Sequence, residues 1–282
     1  MGEICYTEGK ESPGVKPGME KRIWEALRMM KLGAQLYTLR NYLQNEKDFA
    51  FCMKEVAAMG YKTVQISGAG PLSAKFMREV CDENGLSIVL THIDGEKLLR
   101  HTDEVIRDHE ILGCDYIGIG SMPERYRTPE WVHHFADDYL PVAREIRAAG
   151  KYFMYHHHNF EFEKFPGGRF IEILLDSFAP EEMGITLDTY WLAAAGVNPV
   201  EWVEKMKDRI PCVHLKDLAV RGWQTTFAPV GEGNLNFPAI LKKMEEVGTV
   251  KYMLVEQDTC EESPFVCLKK SHDAVRAMGY TE

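Results

Sequence analysis

The sequence predicts a single α/β domain, a parallel (β/α)8 TIM barrel, on three observations. Eight short apolar segments alternate with helical patterns along the 282-residue chain. Most of those helical patterns stop at a glycine, a favourable C-terminal cap. Four acidic or imidazole side chains, Glu161, Asp188, His214 and Glu256, stand at or just past the ends of the last four apolar segments. Alternating strand and helix means βαβ units and a parallel sheet. Eight such units favour a closed barrel, and a chain of this length with 45% hydrophobic residues fits one barrel of about 250 residues. No G-x-G-x-x-G follows the first segment, which weighs against an open dinucleotide-binding sheet.

Residues 1–30 read as an N-terminal extension. Residues 1–18 are rich in Gly, Pro, Glu and Lys. Residues 19–30 space Ile23, Trp24, Ala26, Leu27 and Met30 as one amphipathic helix. It either closes the bottom of the barrel or docks on a partner. The barrel itself spans 31–282. Its strands are expected at 32–39, 61–67, 85–93, 115–120, 151–157, 183–188, 210–216 and 250–257. Helices are expected at 48–60, 74–85, 103–113, 130–150, 237–248 and 265–279, and the stretch after Asp188 suggests another.

Composition excludes several classes. A formal net charge of −10 without a basic stripe argues against nucleic-acid binding. No apolar run approaches the roughly 20 residues that span a bilayer. The N-terminus lacks a secretory pattern. Seven cysteines form no CxxC pair and mostly lie in apolar runs, as reduced core thiols do. A cytoplasmic protein without a membrane partner is expected.

Side chains alternate along a strand, so every second residue faces the barrel interior. Thr186 and Asp188 share a face, as do Cys212, His214 and Lys216, and Leu254 and Glu256. Singly, each candidate has a plainer reading. Asp188 caps a helix, His214 is a hydrogen-bonded core histidine, and Glu161 and Glu256 are solvated acids. Together, three carboxylates and one imidazole at a barrel mouth repel one another unless a cation compensates. A divalent metal is expected on Glu161, Asp188, His214 and Glu256, with Mn²⁺ first among Mn²⁺, Mg²⁺, Co²⁺ and Zn²⁺. His158 is the candidate acid-base group beside it, with Glu161 and Glu256 sharing in the chemistry. Gln35, Tyr37, Gln65, His92, His156 and Lys216 are candidate substrate contacts, polar groups suited to a hydroxyl-rich ligand. Trp191 and Trp223 either stack on a sugar face or pack in the core.

These residues resemble the sugar phosphate isomerase/epimerase-like superfamily, the xylose-isomerase-like barrels, over about residues 31–280. The matching pieces, in order, are GAQLYTLR (33–40), YHHHNFEF (155–162), LDTYW (187–191), VHLKD (213–217), GEGNLNF (231–237) and VEQD (255–258). The second is similar to a Y-H-N-H-x-x-E-F signature, from which the chain departs at His157. The resemblance implies metal ligation by Glu161, Asp188, His214 and Glu256, with His158 catalytic. It implies an isomerase or epimerase that removes the proton next to a carbonyl of a keto sugar or related polyol, through a metal-bound enediolate. A lyase of the same chemistry is the alternative, as an inosose-type dehydratase or the metal-bearing subunit of a C-glycoside deglycosidase acting on 3-oxo-glycosides. An apurinic endonuclease of the same fold is disfavoured by the charge. A non-catalytic sugar-binding barrel, a homo-oligomer and a subunit of a hetero-complex are further expectations.

Overall fold

All eight predicted strands form, and each runs parallel to its neighbours. In the computed structural model, residues 30–128 and 130–280 are described. The expected helix at 19–30 therefore lies outside the described residues, apart from Met30. The strands are β1 (Lys31–Gln35), β2 (Thr63–Ile66), β3 (Ser87–Ile93), β4 (Tyr116–Ile119), β5 (Tyr152–His156), β6 (Met183–Asp188), β7 (Cys212–Leu215) and β8 (Tyr252–Val255). They close into a barrel in sequence order, with β8 pairing β1. The helices are α1 (Glu46–Met59), α2 (Ala74–Glu83), α3 (Gly95–Arg100), α4 (Thr102–Leu112), α5 (Val132–Ala148), α6 (Phe170–Ser177), α7 (Thr189–Ala194), α8 (Pro199–Lys205), α9 (Phe237–Val247) and α10 (Pro264–Ala277).

Cap chemistry sets several of these boundaries. Asn45 opens α1 by accepting the Asp48 N–H, and Gly60 closes it in a left-handed conformation, φ 113°. The first strand is shorter than expected. It stops at Gln35, whose side chain accepts the Tyr37 N–H, and the chain turns into a 3₁₀ helix, Leu36–Tyr42. Several features escaped the sequence reading, among them α3, α6, α8 and an antiparallel hairpin, Asp217–Arg221 with Gln224–Ala228. The hairpin leaves Trp223 wholly exposed, so that ring does not pack in the core.

The barrel interior is filled in layers, as small parallel barrels are. Leu90, Met154, Cys212 and Leu254 form a buried apolar floor, with Tyr116, Tyr152 and Tyr252 packed beneath it. Close strand approach requires Gly184: a β-carbon there would sit 2.5 Å from Met154 Sδ. This floor supports the polar layer above it. A much larger apolar cluster lies between the barrel wall and the helices.

One polar pair in that outer layer has a pH consequence. His109 on α4 is fully buried. Its Nδ1 donates to the Val105 carbonyl at 2.7 Å, and Thr91 Oγ1 lies 2.7 Å from its Nε2. Burial pulls its pKa down from 6.5 to about 4. Below pH 6.5 the unfolded chain binds a proton that the folded chain refuses. The stabilising effect is thus complete above about pH 6.5 and shrinks as pH falls toward 4, by roughly 3 kcal/mol in all. Urea unfolding at pH 7 and pH 5 tests this: His109→Gln should lose less stability over that interval than the wild type.

Candidate metal centre

The polar layer gathers four ligand-type side chains. One ligand atom from each of His156, Asp188, His214 and Glu256 lies within 4.8 Å of the others, and all four residues are buried. His156, Asp188 and His214 end or nearly end β5, β6 and β7, and Glu256 follows β8 directly. Strand pairing sets Asp188 level with His214. This is the C-terminal mouth, where barrels of this kind place their chemistry.

Hydrogen bonds behind the cluster fix which nitrogen faces it. The Gly120 carbonyl can only accept, so His156 carries its proton on Nδ1, 2.9 Å away. That leaves Nε2 facing Asp188 Oδ2 at 3.2 Å. His214 Nε2 donates to Gln65 Oε1 at 2.7 Å, leaving Nδ1 facing Glu256 Oε2 at 2.9 Å and Asp188 Oδ2 at 3.7 Å. Neither His214 Nδ1 nor Glu256 Oε2 has a partner in hydrogen-bonding geometry, although both are buried. Two inward lone-pair nitrogens and two carboxylates, each oriented from behind, are a donor set that fits a divalent ion of hard to borderline character.

The electrostatics point the same way. Burial would raise the pKa of Asp188, but Lys216 and His156 outweigh it and hold the carboxyl well below its usual range. Burial acts likewise on Glu256, where Lys216 and His214 prevail in holding it low. Burial would lower the pKa of His214, yet Glu256 and Asp188 raise it. The site draws positive charge from every available source.

Asp188 satisfies both sequence readings at once. Its Oδ1 accepts the Trp191 N–H at 3.0 Å and caps α7, while Oδ2 turns to the cluster. Glu161 does not join the four. Its carboxylate accepts from the Tyr155 hydroxyl at 2.6 Å and from the His158 backbone N–H at 2.8 Å. Tyr155 alternates with His156 and packs on Phe135 of α5, so Glu161 is held behind the barrel wall. Burial raises its pKa to about 7. His156, expected to touch substrate, stands in the place predicted for Glu161. A Glu161→Gln protein is therefore expected to keep its metal, as elemental analysis would show. Loss of the metal would return Glu161 to the ligand set.

The other candidates divide. His92, His156, His158, Lys216 and Tyr37 line a cavity of about 450 Å³ over the cluster, together with Arg40. His92 Nδ1 lies 3.3 Å from Ser67 Oγ. His158 packs against Trp191, ring centroids 5.0 Å apart, and its buried Nδ1 has no partner. Gln35 and Gln65 are not among the lining residues. Both are fully buried, and they hold Glu256 and His214 from behind, Gln35 Nε2 donating to Glu256 Oε1 at 3.2 Å. His157 points to the outer side, accepting the Asp188 N–H at 3.0 Å and donating to the His158 carbonyl at 3.1 Å. It ties the end of β5 to that of β6.

Asp258 was missed. It sits two residues past Glu256, so strand alternation gave a signal, and its Oδ1 meets Lys216 Nζ at 3.0 Å. Asp217, next to Lys216 in sequence, accepts the backbone N–H groups of Gly231, Gly233 and Leu235. It anchors the loop that leads into α9.

Comparison with known proteins agrees with this fold. The sequence profile of the xylose isomerase-like TIM barrel family matches residues 53–276. The chain belongs to that family. It is 24% identical over 270 residues to the rhizopine catabolism protein MocC of Rhizobium meliloti, covering 80% of each chain. It is 23% identical over 250 residues to inosose dehydratase 2 of Bacillus cereus, covering 81% of this chain and 78% of that one. A sugar phosphate isomerase/epimerase from Parabacteroides distasonis superposes with a TM-score of 0.74 at 24% identity, over 88% of this chain and 98% of the other. No described helix is long and apolar enough to cross a membrane.

Proposed function

We propose that this family member is a divalent-metal-dependent enzyme of the isomerase or epimerase type. It removes the proton next to a carbonyl of a keto sugar or related polyol. The observation that carries this reading is the convergence of His156, Asp188, His214 and Glu256 beneath a polar cavity that also exposes His158. These four residues would hold the ion, with Mn²⁺ the first candidate. When bound, the ion supplies Lewis acidity toward a carbonyl oxygen, stabilising the negative charge that develops there.

The chain's own residues supply the remainder. His158 accepts the proton; burial keeps its imidazole neutral, with its pKa pulled down to about 2. Tyr37, Arg40 and Asp258 at the cavity rim orient hydroxyls. Return of the proton to the opposite face or to the adjacent carbon gives an epimer or an isomer. Departure of a β-hydroxyl as water gives an alkene, the second reading, which the inosose dehydratase relatives favour.

The test is solvent exchange in D₂O. Metal-loaded protein is incubated with ketohexoses, keto-inositols and 3-oxo-glycosides and followed by NMR. Metal-dependent deuterium incorporation beside the carbonyl is expected, and loss of water would identify the lyase. No exchange across the panel by a metal-loaded protein sinks the proposal and leaves a sugar-binding barrel.

A further inference from the structure

Lys216 is a buried lysine with a use beyond substrate contact. Only 1% of it is exposed. Its Nζ is caged by Asp188 Oδ2 at 3.3 Å, Glu256 Oε2 at 3.0 Å and Asp258 Oδ1 at 3.0 Å. The rings of Trp191 and Phe227 flank it at 5.5 and 5.6 Å. The first two oxygens are the ones that face the imidazole nitrogens of the donor cluster. A metal ion and the ammonium would therefore draw on the same two oxygens. The third oxygen, on Asp258, belongs to no cluster ligand.

Formal charge makes the arrangement intelligible. Asp188, Glu256 and Asp258 bring three negative charges and Lys216 one positive. A divalent ion would bring the sum to zero. Without it, the ammonium is a permanent positive charge 3.0 and 3.3 Å from the two carboxylates, and an unpaired buried charge is costly.

We propose that Lys216 is a tethered internal cation that competes with the metal for Asp188 and Glu256, and that Asp258 is the acceptor onto which the ammonium withdraws when the metal binds. This rests on the metal reading above. The lysine keeps the metal-free mouth from repelling itself apart. It also weakens metal binding, and Asp258 restores part of the loss by drawing the lysine away.

The test is Co²⁺ affinity, followed by visible absorption in competition with a chelator. It is measured for the wild type, Lys216→Met, Asp258→Asn and the double variant. Lys216→Met should bind roughly tenfold more tightly and Asp258→Asn roughly tenfold more weakly, the scale on which groups behind a metal's ligands act. The decisive result is the double-mutant cycle. If Asp258 acts by holding Lys216, its replacement has little effect once Lys216 is gone. An equal Asp258→Asn effect in both backgrounds would mean plain charge, and would overturn the proposal, as would unchanged affinity in Lys216→Met. A second measurement needs no variant. Acylation of Lys216 in the wild type, read by mass spectrometry, should rise on Co²⁺ loading; unchanged labelling overturns the withdrawal. Wild type that binds no Co²⁺ at all would sink the metal reading itself, a different result from tight wild-type binding with a Lys216→Met protein that is no tighter.

Discussion

Glu256→Gln is expected to lose the metal and, with it, activity, while the barrel stays folded. The substitution keeps the shape of the side chain and removes its charge. Loss of a partner behind a metal's ligands costs about 10–100-fold in affinity, so loss of a ligand charge should cost at least roughly 100-fold. The fold is not expected to suffer. Glu256 is one of two carboxylates crowded against His214, and Lys216 keeps Asp188 and Asp258 as partners. Gln35 still holds the position of the side chain from behind. Elemental analysis beside thermal unfolding separates the outcomes. The wild type should carry about one equivalent of metal and melt higher when loaded, because a ligand that binds only the folded state stabilises it. The variant should show neither effect. A Glu256→Gln protein with a full metal equivalent would place the ion elsewhere and remove the basis for the proposed chemistry.

Periodicity and strand ends disclosed the barrel and most of the polar layer, and the reason is local. Strand alternation and a short apolar run are properties of a few consecutive residues, so β6 was read at its actual bounds, and Asp188 and His214 fell on the inner face. The position of Glu161 outside the cluster has the opposite cause. Between His156 and Glu161 the chain leaves the strand through a 3₁₀ turn, Phe160–Phe162, and the period-2 rule no longer applies. The Tyr155 hydroxyl, on the outer face of β5, and the His158 N–H show where that carboxylate is satisfied. His156 has inward parity, but in a run of three histidines parity alone does not distinguish a metal ligand from a substrate contact. Gln35 and Gln65 are a different case. Their inward parity was legible, but their role behind the ligands depends on contacts across 221 and 149 residues of sequence, which only the closed barrel creates. The hairpin after Asp217 escaped because its strand-like residues follow β7 without a helix, breaking the βα rhythm.

His158→Gln is expected to retain the metal and lose proton exchange by about 10²–10⁴-fold, the usual contribution of a positioned acid-base group. Its imidazole lines the cavity beside His156, ring centroids 4.8 Å apart, yet it is not one of the four clustered residues. The buried, unpartnered Nδ1 has nothing to give up before it takes a proton. Burial and the nearby His156 pull the pKa down to about 2, so this group is neutral throughout the working range. Exchange in the wild type should accordingly show no acid limb from His158 near the ordinary histidine value of about 6.5. Exchange rates in D₂O for the loaded wild type and loaded variant, measured from pH 5 to pH 9, check both statements. Full exchange by His158→Gln would transfer the role to His92, the other imidazole at the cavity wall. His92 is the poorer candidate on geometry. Its Nε2 is buried without a hydrogen-bond partner, as His158 Nδ1 is, but its Nδ1 lies against Ser67 and its ring is set between those of His156 and His214, at 5.3 and 5.6 Å. Burial and neighbouring imidazoles lower the pKa of both groups, so position rather than basicity separates them: His92 is wedged between two rings that already serve the cluster.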